Sequence, residues 1–302
     1  MSKILCSFPG KFGDVIWALP SLRALSRRIG APVDLIVAAP FASICPLIRQ
    51  QDYIGKCWAD PAWQTQDTAP ISPRVPSLSW DREAIPDHDP WAAAYDHILH
   101  LGYRGWPQRP LPYETLDCLN AQLPPGCGAR IPDDGLIEEA WIAPAAHSDR
   151  GDSWGLVVGF TDEYVELKMG ICFALGNAGI RINLLAGEDS RKQEWLGANA
   201  CDYDITDYPG TWEEARWQLS NCHVFLGDCS ALHVLAVAVG CPRILLMEPA
   251  EARWNPIFYP CGKTGRVQLI GGNDGKPTWD ARHVRDVVHG VLHGAVQAGG
   301  RR

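Results

Sequence analysis

The sequence predicts an α/β protein of two Rossmann-like domains whose parallel sheets face a central cleft. A strand, a helix and a second strand follow one another between Lys3 and Ala38, and such βαβ units usually belong to parallel sheets. A second alternation of strands and helices begins at Trp154. Because ligands of such sheets bind beyond the carboxyl ends of the strands, functional residues are expected in the loops that follow them.

The first domain is expected over residues 1–150, ending in the polar segment AAHSDRGDS. Strands are predicted at Lys3–Phe8 and Val33–Ala38, with a helix at Asp14–Ile29 whose apolar residues have helical spacing. Residues 58–90 lack a sustained period and are interpreted as an irregular excursion. A strand at HILHLG and a short helix within PQRPLPYETLDCLNAQL complete this domain.

The second domain is expected over residues 151–302, with a C-terminal helix closing the chain. Its pattern alternates short apolar runs with helical spacing. The predicted strands are WGLVVGF, IRINLLAG, a short one near 203–205, CHVFLG and RILLM. The predicted helices are 165–178, 190–199, 212–220, 230–239 and 280–296.

Composition narrows the function classes. A net charge of −8 and a pI near 5.6 argue against a surface built to attract nucleic acid. The eleven cysteines form no C-x-x-C pair, which favours reduced thiols in a cytoplasmic protein. No signal-peptide pattern and no apolar run of transmembrane length is evident, so we expect no transmembrane segment, with peripheral contact at the inner membrane surface left open.

The stretch PGKFGD lies where the first strand gives way to the first helix. Its spacing fits neither the P-loop nor G-x-G-x-x-G. Gly10 and Gly13 would let a ligand approach the backbone closely. Asp14 follows at the helix start, where aspartate also serves as a helix cap.

The continuation GDVIWALPSLRAL resembles the N-terminal signature of ADP-heptose:lipopolysaccharide heptosyltransferases, glycosyltransferase family 9. The resemblance implies the GT-B fold, an inverting transfer without a metal ion or other cofactor, and a nucleotide-sugar donor, with an ADP-sugar favoured. It assigns Asp14 the role of the base that deprotonates the acceptor hydroxyl. It also places Gly13 at the donor.

A second resemblance lies in LSNCHVFLGDCSALHVLAVAVGCPRILLMEPAEARWNP, which is similar to the family's strand, phosphate-binding loop and alanine-rich helix. A helix N-terminus is suited to bind a diphosphate. His233 either faces the phosphates or packs beneath them. The sequence departs from the family pattern at Cys229, Ser230, Glu248 and Ala250. The donor-binding residues implied here are Asp228, Cys229, Ser230 and His233.

The segment VVGFTDEYVELKMGICFAL resembles the family's strand, threonine loop and lysine. Thr161 and Lys168 are thereby implied to bind the donor phosphates, the alternative for Lys168 being a solvent-exposed lysine. In the loop after INLLAG, Glu188 and Glu194 are candidates for ribose hydroxyls, or else ordinary surface charges.

Two further features are interpreted conservatively. Asp87-His88-Asp89 contains metal-ligand residue types but is taken as loop solvation, so no metal site is predicted. Several tryptophans of the first domain could stack on sugars or bases, or could cover a domain poor in regular structure: Trp58, Trp63, Trp80, Trp91 and Trp106.

The leading hypothesis is a metal-independent glycosyltransferase that moves a heptose-like sugar to an acceptor hydroxyl, with the acceptor at the first domain and the donor at the second. Two alternatives stay open. The acceptor could be a protein, a small molecule or a modified DNA base, although RALSRR is the only dense basic group of the first domain. The chain could also be a non-catalytic nucleotide-sugar binder.

Overall fold

The computed structural model describes residues 3–60, 92–102, 109–123, 127–145, 154–161, 165–185, 205–207, 210–247, 266–270 and 279–299. Contacts divide the chain into two compact units, one ending at Ala143 and one beginning at Pro144.

The first unit contains a four-stranded sheet with the order β3-β2-β1-β4. Its strands are all parallel: β1 (Ile4–Phe8), β2 (Val33–Ala38), β3 (Ile54–Asp60) and β4 (His97–His100). Strands β1 and β2 are buried at every position, as expected for apolar runs in the centre of a parallel sheet. The helices are α1 (Phe12–Ile29), α2 (Cys45–Arg49) and α3 (Leu111–Asn120), with short 3₁₀ helices at Ala39–Ile44 and Ala92–Ala94.

Helix α1 contains a proline, and a tryptophan distant in sequence replaces the hydrogen bond that the proline cannot make. Pro20 has no N–H to donate to the carbonyl oxygen of Ile16, one turn earlier. The indole N–H of Trp141 donates to that oxygen at 3.1 Å. Trp141 is also held by Tyr53, whose hydroxyl donates to its carbonyl oxygen at 2.5 Å. The segment that carries Trp141 is thus an integral part of the first unit.

Two arginines of the basic group RALSRR are engaged within the first unit. The guanidinium of Arg23 donates to the carbonyl oxygens of Ala140 and Leu136, at 2.7 and 3.4 Å. Arg28 donates to the carbonyl oxygen of Cys127 at 3.0 Å. These contacts hold the segment after α3 against α1, so much of this basic group serves the fold.

The second unit contains a six-stranded sheet with the order β10-β9-β8-β5-β6-β7. The strands are again all parallel: β5 (Trp154–Gly159), β6 (Ile182–Leu184), β7 (Ile205–Asp207), β8 (Cys222–Gly227), β9 (Ile244–Met247) and β10 (Val267–Ile270). Strands β5 and β8 are neighbours at the centre, so their carboxyl ends lie side by side at one edge of the sheet.

Four described helices accompany this sheet: α4 (Val165–Asn177), α5 (Trp212–Asn221), α6 (Ala231–Ala238) and α7 (Ala281–Gly299). Helix α7 contributes Val284 and Val288, both fully buried, to the same apolar core as Met169 and Cys172 of α4. Burial of these faces from water is the main force that fixes the helices on the sheet.

Most elements predicted within the described residues are confirmed, with differences at the ends. Helix α1 begins two residues before the predicted Asp14, and β6 is shorter than IRINLLAG. The predicted excursion from residue 58 is wrong at its start, because Trp58 continues β3. Strands β3 and β10 and helix α2 were not predicted. The helix predicted at 190–199 lies outside the described residues.

The nine cysteines in the described part of the chain are free thiols. The sulfur atoms of Cys222 and Cys241 lie 3.5 Å apart in the interior. A hydrogen bond with Cys241 and burial raise the pKa of the Cys222 thiol. Burial, with Asp34 nearby, also raises the pKa of the Cys6 thiol. Cys222 and Cys6 are therefore poor nucleophiles, since the thiolate is the reactive form.

Within the described ranges, no helix combines the length and the apolar character needed to cross a membrane.

Candidate functional site

Two glycines bring the central strands of the second unit together where the site begins. Gly159 ends β5, Gly227 ends β8, and the two are register partners. A Cβ atom added at Gly227 would lie 2.3 Å from the carbonyl oxygen of Gly159. This distance is too short for any side chain, so glycine is required at 227. The loops that follow the two strands consequently begin side by side.

Asp228 accepts hydrogen bonds from three donor groups. Its Oδ2 atom accepts hydrogen bonds from the backbone N–H of Thr161 at 2.9 Å and from the Thr161 hydroxyl at 2.7 Å. The ammonium of Lys168 donates to the same oxygen at 2.5 Å. All three residues are among the donor-binding residues predicted from the sequence, and the structure brings them into one cluster.

The ion pair of this cluster is withdrawn from water. Lys168 is 2% exposed and Asp228 is 5% exposed, so the alternative of a solvent-exposed lysine is wrong. Lys168 Nζ also lies 5.5 Å from the centre of the Phe160 ring, within cation–π range. Buried charges are costly unless paired, and here each charge satisfies the other. Asp228 Oδ1 is buried with no hydrogen-bond partner among the described residues.

Helix α6 begins directly after Asp228. Ser230 is its N-cap residue, with extended backbone angles. The N–H of Ser230 donates to Nδ1 of His233 at 3.1 Å, and His233 is 1% exposed. His233 therefore packs at the helix start and orders it, and its predicted role toward the donor stays a prediction. The hydroxyl oxygen of Ser230 is buried and without a hydrogen-bond partner among the described residues.

Asp14 lies in the first unit, at the third position of α1, after Lys11 as N-cap. The expectation that aspartate itself occupies the cap position is therefore corrected. Its Oδ2 accepts a hydrogen bond from the Lys11 backbone N–H at 3.1 Å, so it caps the helix from within. A Cβ atom at Gly10 would lie 2.5 Å from Cβ of Asp14. Gly10 thus leaves the space that Asp14 occupies.

A polar pair that was not predicted from the sequence lies at the carboxyl-terminal edge of the first sheet. Ser7 of β1 is the register partner of His100 of β4. The Ser7 hydroxyl and Nδ1 of His100 are 2.8 Å apart. Both strands end here, and the loop to Asp14 follows β1 directly. The available signal was a histidine at the end of the HILH strand.

Several predicted residues lie outside the described part of the chain. These include Glu188 and Glu194, the Asp87-His88-Asp89 cluster, and Glu248 with Ala250. Cys229 and Gly13 are described and partly buried, next to Asp228 and Asp14 respectively. Their binding roles stay predictions.

The two units together have the GT-B fold of glycosyltransferases, and the predicted heptosyltransferase-like architecture is confirmed. The E. coli heptosyltransferase WaaC with ADP matches over 96% of this chain and 99% of its own, with 16% identity and a TM-score of 0.61. E. coli ADP-heptose lps heptosyltransferase II matches over 97% and 99%, with 15% identity and a TM-score of 0.59. A family 9 glycosyl transferase from Veillonella parvula DSM 2008 matches over 97% of each chain, with 11% identity and a TM-score of 0.58.

No protein-family model and no curated protein matches the sequence. At these identities the likeness concerns the fold, and function has to be argued from the site.

Proposed function

We propose that this protein is a glycosyltransferase that moves a sugar from a nucleoside-diphosphate donor to an acceptor hydroxyl. The observation that carries the proposal is the buried cluster of Lys168, Thr161 and Asp228 beside the N-terminus of α6. A buried cation, a hydroxyl and the N–H groups of a helix start are the donors that a diphosphate needs. They lie at the carboxyl ends of the central strands, where α/β sheets bind ligands.

In this proposal the second unit holds the donor. Lys168 offsets the charge that develops on the departing diphosphate, and the Ser230 hydroxyl donates to one of its oxygens. Asp228 acts as a positioning residue, because its Oδ2 holds both Lys168 and Thr161. The ion pair also means that a diphosphate must compete with Asp228 for the ammonium.

Asp14 is proposed as the base of the first unit. Its carboxylate takes the proton of the acceptor hydroxyl while the acceptor oxygen forms a bond to the anomeric carbon. The bond from that carbon to the diphosphate breaks, and the diphosphate leaves with the electron pair. Attack from the face opposite the leaving group inverts the anomeric configuration.

An ADP-sugar with a heptose-like sugar is the donor we favour, because a structural neighbour binds ADP. The further proposals are a transfer that needs no metal ion or other cofactor, and a cytoplasmic location with contact at the inner membrane surface left open. The engagement of Arg23 and Arg28 by backbone carbonyls weighs against a nucleic-acid acceptor.

The proposal is tested with a panel of ADP-, UDP-, GDP- and CDP-sugars, by ligand-induced thermal shift on the parent protein, two site variants and two control variants. One nucleotide class should raise the melting temperature. Lys168→Met should weaken its binding at least tenfold, whereas Asp14→Asn should leave it unchanged. Lys56→Met and Asp52→Asn remove exposed charges elsewhere and serve as matched controls. No shift with any nucleotide-sugar, in a folded parent protein, would refute the donor site.

A non-catalytic nucleotide-sugar binder is the second candidate. The observation that favours it is that both proposed catalytic charges already have partners within the chain: Lys168 has Asp228, and Asp14 caps α1. Acceptor-dependent release of the nucleoside diphosphate separates the candidates. Release that depends on Asp14 supports transfer, whereas binding without release with any offered acceptor supports the binder.

A further inference from the structure

Helix α7 carries two histidines one turn apart on its solvent-facing side. His289 and His293 are both exposed. On the opposite side, Val284 and Val288 are fully buried in the core of the second unit. Residues four apart lie above one another on a helix surface. Both imidazoles thus project from a helix whose other side is buried in the core.

The two imidazoles are arranged as ligands of one ion would be. Their Nε2 atoms lie 2.9 Å apart, and the ring centres are 4.0 Å apart. Two metal–nitrogen bonds of about 2.0–2.1 Å at a right angle place the nitrogens about 2.9 Å apart. A tetrahedral angle would separate them by about 3.3 Å. The observed spacing therefore matches adjacent positions of square-planar or octahedral coordination, the geometries of Cu²⁺ and Ni²⁺.

We propose that His289 and His293 form a binding site for a divalent transition-metal ion, with Cu²⁺ and Ni²⁺ preferred. Each ring supplies Nε2 in its neutral form, and solvent completes the coordination shell. Without an ion, the same atoms share one proton in a histidine–histidine hydrogen bond. Among the described residues no set of three metal-ligating side chains occurs; the described residues supply two ligands, and an ion held by two ligands exchanges readily.

This site is distinct from the proposed donor cluster. It belongs to α7, whereas the cluster is built from residues 161, 168 and 228. An ion bound by both imidazoles would link His289 to His293 across one turn of α7. This turn contains Gly290, where an added Cβ atom would meet nothing within 4 Å. Glycine lowers the stability of a helix interior, so the bound ion would stabilise α7 at a turn of low helix propensity.

The test is calorimetric titration of the full chain, without a histidine tag, with CuCl₂, NiCl₂ and MgCl₂. We expect one equivalent of Cu²⁺ or Ni²⁺ to bind at this site and Mg²⁺ not to bind. His289→Gln and His293→Gln should each weaken binding at least tenfold. His283→Gln removes another exposed histidine from the same helix and should have no effect. Unchanged affinity in both the His289 and His293 variants would overturn the proposal.

Electron paramagnetic resonance of the Cu²⁺ form provides a second readout. Two nitrogen ligands should produce a splitting pattern in the parent protein, reduced to one nitrogen in His293→Gln. Because both histidines are exposed, these variants are expected to fold. A signal with no nitrogen coupling in the parent, or with the same coupling in the variant, would also overturn the proposal.

Discussion

Lys168 and Asp228 are paired at 2.5 Å across sixty positions of the sequence, and both are nearly inaccessible to water. The lysine comes from the first turn of α4, and the aspartate follows β8 directly. A buried pair of this kind contributes little net stability compared with apolar groups of the same shape. Its presence at a strand end is therefore better explained by a requirement for charge at the site.

Removing one member of this pair should be costly. Asp228→Asn leaves the Lys168 ammonium buried without its counter-charge, and Lys168→Met does the same to Asp228. Each change should lower the free energy of unfolding by about 3–5 kcal/mol. The double variant should be no less stable than either single variant, because no unpaired charge remains. Urea denaturation of the four proteins measures this cycle, and strictly additive losses would contradict it.

Substitution by alanine should reduce stability more at Gly227 than at Gly159, the glycines that end β8 and β5. Gly227→Ala places a methyl group 2.3 Å from the backbone oxygen of Gly159, which cannot move without parting β5 from β8. We expect a loss of about 1–3 kcal/mol. In Gly159→Ala the new methyl meets Leu232 Cδ1 at 2.7 Å. This side-chain end can rotate away, so the loss should be smaller. Denaturation midpoints compare the two, and the reverse order would contradict the packing argument.

Gly10→Ala should impair transfer more than donor binding. Its methyl group would overlap Cβ of Asp14 at 2.5 Å and the Phe8 ring at 2.4 Å, which displaces the proposed base. A displacement of about 1 Å can lower a catalytic rate about a hundredfold. Turnover and nucleotide-sugar thermal shift are measured together. Gly170→Ala, where a Cβ atom meets nothing within 4 Å, is the control. Equal loss of binding and turnover would count against this role for Gly10.

Pro20 and Trp141 should show coupled effects on stability. Trp141→Phe removes the donor to the Ile16 carbonyl oxygen, at a cost of about 1–3 kcal/mol for a buried unpaired group. Pro20→Ala supplies a backbone N–H one turn from Ile16 and should recover part of that loss in the double variant. Thermal unfolding of the single and double variants tests this. An equally unstable double variant would show that the hydrogen bond is not the cause.

Strong local signals account for the elements that the sequence predicted well. Strands β1, β2 and β8 are mostly apolar runs, and α1 has a clear apolar period. Strand β3 was missed because IGKCWAD mixes polar and apolar residues at the edge of the sheet. Strand β10, a four-residue edge strand, offers as little signal. Edge strands are half-covered, so their sequences carry a weaker pattern.

The residues of the site were predictable from the sequence, but the hydrogen bonds between them were not. Resemblance identified Thr161, Lys168 and Asp228 separately. That Asp228 binds the other two depends on the register of β5 with β8, which no local pattern encodes. The contact of Trp141 with Ile16 joins residues 125 positions apart. Trp141 lies in a segment without periodicity, so no sequence pattern indicates which residue it contacts.

The hydrogen bond between Trp141 and Ile16 can form only after residue 141 has been synthesised. Helix α1 emerges early from the ribosome, but the group that completes its hydrogen bonding at Ile16 is Trp141, nearly halfway along the chain. At about 5–20 residues per second, the helix waits several seconds or longer for its partner. During that interval the carbonyl oxygen of Ile16 has neither the N–H of a normal helix turn nor the indole N–H of Trp141 as its donor.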